Sequence, residues 1–172
     1  MRHETGCHQM PTVSHSVTVD AAPETVWAFV SDVERLPEWV AFTDEVRHHD
    51  EGTVREGFEY AEYGGVGPLR GESEWEVVAC ESPTRQVHAG DLGAMQATLT
   101  IDIEPTDGEG DGSRWTQTVE FETFSRFRPL GRLLEVLYLR RAMDRQLART
   151  MAAGRVRVDR YARTEAVPST TA

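Results

Sequence analysis

The spacing of the apolar residues changes once along the chain, and this change constrains the fold more than any other feature. Apolar and polar residues alternate from Met95 to Glu104 and again from Arg114 to Phe124. A period of two is typical of a strand with one buried face. After Pro129 the apolar residues recur at steps of three and four, which is typical of an amphipathic helix. We therefore predict a series of strands followed by one helix of about 30 residues, roughly 45 Å long.

The segments before Met95 complete this pattern. Val13–Val19 also alternates and is predicted as the first strand. Pro23 then starts a helix, because proline is tolerated in a first turn. Val33–Trp39 is predicted as a second short helix with Pro37 as an internal break. Four further strands between turn signals are predicted at Phe42–His48, Val54–Tyr63, Leu69–Ala79 and Arg85–Ala89. Short turns between such strands indicate an antiparallel meander whose apolar face the long helix must cover.

The length of 172 residues suits one domain. We assign it to residues 12–163, between a flexible arm (residues 1–11) and a disordered tail (residues 164–172). No apolar run approaches the ~18 residues of a membrane span, and the first ten residues lack the apolar segment of a secretory signal. Cys7 and Cys80 are interpreted as thiols in a reducing compartment, so a cytoplasmic location is expected.

The charges are numerous and unevenly distributed. The chain has 29 acidic and 18 basic residues, and every basic residue is arginine. This balance argues against a basic nucleic-acid-binding protein. It suits a halophilic host whose cytoplasmic salt screens the repulsion between carboxylates; the alternative is a genome rich in arginine codons. Between Arg126 and Arg163, however, the chain has 11 arginines and only three acidic residues, so the last helix is basic.

Three short motifs carry a family resemblance: Ser16–Trp27, Asp32–Trp39 and Phe127–Leu134. Together with the order of elements over residues 13–161, they resemble the START-like (SRPBCC, birch-pollen-allergen-like) superfamily, and within it the polyketide cyclase/dehydrase and lipid transport group. The resemblance implies an α+β helix-grip fold: a curved antiparallel sheet of six to seven strands wrapped around a long C-terminal helix, with two short helices after the first strand. It implies no single activity, since members range from enzymes to carriers and stress proteins.

A helix lying in a curled sheet is difficult to surround completely, so we expect a cavity for a hydrophobic ligand between them. Alternation directs several aromatic residues of the sheet into this space, and methionine and leucine residues of the helix face them. For any single residue, the alternative is ordinary core packing. The candidate ligand-binding residues are Trp39, Phe42, Phe58, Tyr60, Trp75, Met95, Trp115, Gln117, Phe121, Met143 and Leu147.

Polar groups on the same faces are candidates for orienting a ligand, namely Tyr60, Gln117, His15 and His88. His88 could also act as a general acid or base. The alternative is a histidine that is exposed to solvent or has its hydrogen bonds satisfied in the core. No carboxylate lies at a sequence spacing that would indicate a catalytic pair with His88. No catalytic residue is assigned.

No metal or cofactor is expected. His3, Cys7 and His8 offer three metal-ligand side chains in the N-terminal arm, but a fourth ligand is missing.

Arg141, Arg145 and Arg149 step by four and share one face of the long helix. One interpretation is peripheral contact with an anionic membrane or an acidic partner. The other is that these arginines offset the charge of an acidic domain.

Three functional hypotheses follow. The first is carriage or presentation of a lipid, isoprenoid quinone or polyketide-like compound. The second is a cyclase or dehydratase in which Tyr60, His88 or Gln117 positions a carbonyl. The third is a partner-binding module that acts through the arginine-rich helix. A convergent polar cluster with a shifted pKa inside the cavity favours the enzyme, whereas a wholly apolar cavity favours the carrier.

Overall fold

The elements follow one another in the predicted order in the computed structural model, which describes residues 10–66, 69–93, 95–106, 112–123 and 129–165. A 3₁₀ turn at Val33–Arg35 directly precedes the second helix. The helices are α1 (Pro23–Val30), α2 (Leu36–Trp39) and α3 (Pro129–Glu165). The strands are β1 (Thr12–Val19), β2 (Thr43–His49), β3 (Glu59–Val66), β4 (Leu69–Glu81), β5 (Arg85–Asp91), β6 (Met95–Pro105) and β7 (Ser113–Thr123).

The seven strands form one antiparallel sheet in the order β1-β7-β6-β5-β4-β3-β2. β1 and β2 therefore lie at opposite edges, and the segment that carries α1 and α2 connects them. The long helix α3 packs along β1, contacts β3 and β7, and also contacts both short helices. This arrangement confirms the predicted helix-grip α+β fold, with seven strands and two short helices after the first strand.

Some element bounds differ from the predicted ones. Residues 54–58 are not part of a strand, and β3 begins at Glu59. Instead the chain turns at Gly57, whose φ of 76° favours glycine, so that the Val54 and Phe58 side chains are buried from a loop. Pro37 lies in the first turn of α2, where its missing N–H is tolerated, and does not interrupt a helix.

The last helix is longer than predicted. With 37 residues it extends about 55 Å, and it includes the first two residues of the segment predicted as a disordered tail. The other seven residues of that segment, and residues 1–9 of the predicted N-terminal arm, lie outside the described residues.

The C-terminal half of α3 packs tightly on the sheet at Gly154. A Cβ atom at this position would lie 2.6 Å from the Trp115 ring and 3.2 Å from the Trp39 ring. The two tryptophan rings meet edge to face with centroids 5.1 Å apart. Glycine therefore lets the helix backbone lie directly on these rings, although it costs the helix ~1 kcal/mol relative to alanine.

Candidate ligand cavity

A cavity of about 240 Å³ lies between the sheet and the N-terminal half of α3. Its wall is mainly apolar. The large apolar side chains in this wall belong to Phe42, Val66, Trp75, Leu92, Met95, Leu99, Val119, Leu139 and Met143. Arg70, Gly71 and Glu72 also line it and are exposed. The cavity therefore reaches the surface beside the turn between β3 and β4.

One carboxyl group, that of Glu62 on β3, is buried in this mainly apolar wall. Only 5% of Glu62 is exposed. Thr43 Oγ1 donates a hydrogen bond to Glu62 Oε2 at 2.6 Å, and Trp75 Nε1 donates to Glu62 Oε1 at 3.1 Å. Burial raises the pKa of Glu62, while the hydrogen bonds from Thr43 and Trp75 act against this rise. The arrangement is a carboxyl group that can hold or release a proton inside a cavity.

The strand alternation in the sequence indicates that Glu62 is buried, although the polar candidates selected from the sequence do not include it. Tyr60 is predicted on the inner face of its strand, and a period of two places Glu62 on the same face. The burial of Tyr60, Glu62 and Gly64 follows this rule.

A second buried polar group is a chain of hydrogen bonds through His88. The Tyr60 hydroxyl lies 3.1 Å from His88 Nδ1, and His88 Nε2 lies 3.0 Å from Gln86 Oε1. Gln86 Nε2 donates onward to Ser31 Oγ at 2.6 Å. Because the Gln86 oxygen can only accept, His88 carries its proton on Nε2 and accepts from Tyr60 at Nδ1.

Burial keeps this chain uncharged. It lowers the pKa of His88 to about 4, and together with the negative charge of Glu62 it raises the pKa of Tyr60 well above its ordinary value. His88 is thus a satisfied core histidine, and it does not line the cavity.

The sequence matches the family model described as polyketide cyclase/dehydrase and lipid transport over residues 10–155. The chain belongs to this family. Among curated proteins, no sequence matches the chain.

Solved structures support the fold of this polyketide cyclase/dehydrase family member. A START superfamily protein from Mycobacterium smegmatis has a TM-score of 0.67 and 16% identity, over 87% of this chain and 97% of that one. The Zhui aromatase/cyclase from Streptomyces sp. R1128 has a TM-score of 0.68 and 16% identity, over 95% and 100%. A protein from Thermus thermophilus has a TM-score of 0.61 and 23% identity, over 86% and 97%. At these identities the likeness shows the fold alone.

The structure divides the predicted ligand-binding residues into three groups. Phe42, Trp75, Met95 and Met143 line the cavity. Trp39 and Trp115 pack together at Gly154, toward the other end of α3. The remaining five are buried but do not line the cavity; they are Phe58, Tyr60, Gln117, Phe121 and Leu147. A direct role in binding stays a prediction, and the geometry supports it for the first group.

The other singled-out residues lie on the surface or outside the described ranges. His15 is partly exposed and joins β1 to α3 through a 2.9 Å contact with Asp144, away from the cavity. Arg141, Arg145 and Arg149 are exposed on α3. No group of three or more potential metal ligands occurs among the described residues. His3, Cys7 and His8 lie outside the described residues. None of the described helices is apolar over enough of its length to cross a membrane.

The outer face of the sheet carries a separate open groove of about 620 Å³. Its wall is strongly acidic, with carboxylates from Glu59, Glu74, Glu76, Asp91, Glu120 and Glu122. This surface accounts for part of the acidic surplus of the chain.

Proposed function

We propose that the protein binds one small hydrophobic molecule in the cavity between the sheet and α3, and carries or presents it. The supporting observation is a mainly apolar cavity of about 240 Å³ that reaches the surface. For comparison, an engineered apolar cavity of ~150 Å³ binds benzene. The volume therefore suits a compound of about two fused rings, or the ring system of a larger molecule whose chain extends through the mouth.

The expected affinity follows from the area that such a ring system buries. Two fused rings resemble a tryptophan side chain, which buries up to ~250 Å². At ~25 cal/mol per Å², this burial contributes about 6 kcal/mol before the costs of association. Because these costs subtract from the gain, the dissociation constant should lie above ~0.04 mM.

Calorimetric titration with 1-naphthol tests this proposal. We expect one site per chain in the wild type. Ala97 is buried and lines the cavity, so Ala97→Leu fills part of the space and should weaken binding by at least ~10-fold. Ala153→Leu adds the same volume at an exposed position of α3 and should bind like the wild type. Absence of saturable binding, or equal binding by both variants, would contradict the proposal.

A cyclase- or dehydratase-type enzyme is the second candidate, and the cluster around Glu62 favours it. Glu62 lies in the cavity with convergent donors from Thr43 and Trp75 and a raised pKa, as expected for a general acid or base. Tyr60, His88 and Gln117, which the sequence suggested for this role, lie outside the cavity lining. In this mechanism the Glu62 carboxylate takes a proton from a carbon between two carbonyls, leaving an enolate, and then returns a proton to it.

Proton exchange in 1-phenyl-1,3-butanedione tests this mechanism without knowledge of the natural substrate. In D₂O, NMR should show faster loss of the C2 protons with wild-type protein than with buffer alone. Glu62→Gln should abolish the acceleration, whereas Glu74→Gln, on the exposed outer face of β4, should retain it. If the wild type gives no acceleration, the enzymatic candidate fails and the binding proposal is unaffected.

A further inference from the structure

The Glu62 carboxylate at the polar end of the cavity has acceptor sites left for a ligand. An ionised carboxylate offers about four lone-pair sites. Thr43 Oγ1 and Trp75 Nε1 occupy one site on each Glu62 oxygen, while Ser73, which pairs with Glu62 across β3 and β4, accepts a hydrogen bond from Trp75 Nε1 at 3.2 Å. About two sites therefore remain, and a buried acceptor without a partner is unfavourable by ~1–3 kcal/mol.

The charges around this end are predominantly negative. Among the described residues that line the cavity, the charged side chains are Glu62, Arg70 and Glu72. The Arg70 guanidinium forms an ion pair with Asp44 at the mouth, so its charge is already matched. A ligand carboxylate that approached Glu62 would therefore meet a second negative charge in a poorly hydrated space, and among the described lining residues no unpaired cation balances it.

We propose that Glu62, held by Thr43 and Trp75, selects an uncharged ring compound that carries a phenolic or enolic hydroxyl group and rejects ring compounds that carry a carboxylate. This inference rests on the proposed binding function and adds the chemical class of the ligand. The ligand hydroxyl donates to a remaining acceptor site of Glu62, while its rings contact Met95, Val119 and Met143. A site built for such a hydrogen bond discriminates against a ligand that lacks it, because its own polar group then stays unpaired.

Calorimetric titration of the wild type with 1-naphthol, naphthalene and 1-naphthoate at pH 7 tests the selection directly. We expect 1-naphthol to bind roughly 10-fold more tightly than naphthalene, as for one hydrogen bond to a charged group. We expect 1-naphthoate to bind at least ~10-fold more weakly than 1-naphthol. 1-Naphthylmethylamine is the fourth ligand, and tighter binding of this cation than of 1-naphthol would overturn the assignment.

The outcomes separate this inference from the proposed function. If none of the ring compounds binds, both fail. If naphthalene or 1-naphthoate binds as tightly as 1-naphthol, the cavity binds rings but Glu62 does not select a hydroxyl group. In Glu62→Gln the preference for 1-naphthol over 1-naphthoate should fall by at least ~10-fold, while Glu74→Gln, with the same loss of charge at an exposed site, should keep it. An unchanged preference in Glu62→Gln would refute the assignment, and the wild-type comparison stands even if that variant does not fold.

Discussion

Acidification from pH 7 to pH 4 is predicted to destabilise the protein through His88. Burial lowers the pKa of this histidine from 6.5 to about 4. Between these values the unfolded chain binds a proton at His88 and the folded protein does not, so the free energy of unfolding falls as the pH falls. At ~1.36 kcal/mol per pH unit, the stability lost by pH 4 is about 3 kcal/mol.

Urea unfolding of the wild type and of His88→Gln, followed by circular dichroism at several pH values, isolates this contribution. The variant removes the titrating group, while all other groups remain in both proteins. Among them is Glu62, which acts in the opposite direction because its pKa is raised. At pH 7 the variant should be less stable by ~1–3 kcal/mol, since the Tyr60 hydroxyl loses its acceptor.

The advantage of the wild type should then shrink by about 2–3 kcal/mol between pH 7 and pH 4.5. Parallel pH profiles of the two proteins would refute the reasoning, because they would show that His88 takes up its proton equally in the folded and unfolded states.

Three further predictions concern stability. Glu62→Gln should gain stability relative to the wild type as the pH rises from 5 to 8, because the raised pKa makes ionisation of Glu62 unfavourable in the folded protein. Urea unfolding at both pH values measures this, and the same difference in the free energy of unfolding at pH 5 and pH 8 would contradict the prediction. Gly154→Ala should lower stability by up to ~2 kcal/mol, because overpacking against Trp115 (~1–3 kcal/mol) outweighs the ~1 kcal/mol gained in helix propensity, and a raised melting temperature would contradict this. For the halophilic hypothesis, molar KCl should raise the melting temperature relative to millimolar KCl, and indifference to salt would count against it.

The fold could be predicted because its main determinants are local and periodic. The alternation in β6 and β7 and the three- and four-residue spacing in α3 specify which faces are buried, and the sheet follows from short turns. For residues 54–58 the predicted strand is wrong, because buried side chains on a loop, such as Val54 and Phe58, can have the same spacing in the sequence as those on a strand. Their conformation depends on the turn at Gly57.

The site was harder to predict because it depends on contacts between distant segments. A glutamate within a strand suggests a solvent-facing position, and the burial of Glu62 is tolerated only because Thr43 from β2 and Trp75 from β4 donate hydrogen bonds to it. The location of the cavity along α3 depends on how closely the helix approaches the sheet at Gly154. Such a distance is set by three-dimensional packing and has no signature in the spacing of residues.

The most direct test of the central claim is a crystal structure of the protein soaked with 6-bromo-2-naphthol, measured at the bromine absorption edge. The account predicts an anomalous bromine peak between the sheet and α3, within the space bounded by Trp75, Leu139 and Met143. Side chains that fill this space, or bromine bound only at the outer surface, would contradict the claim that the helix leaves room for a hydrophobic guest.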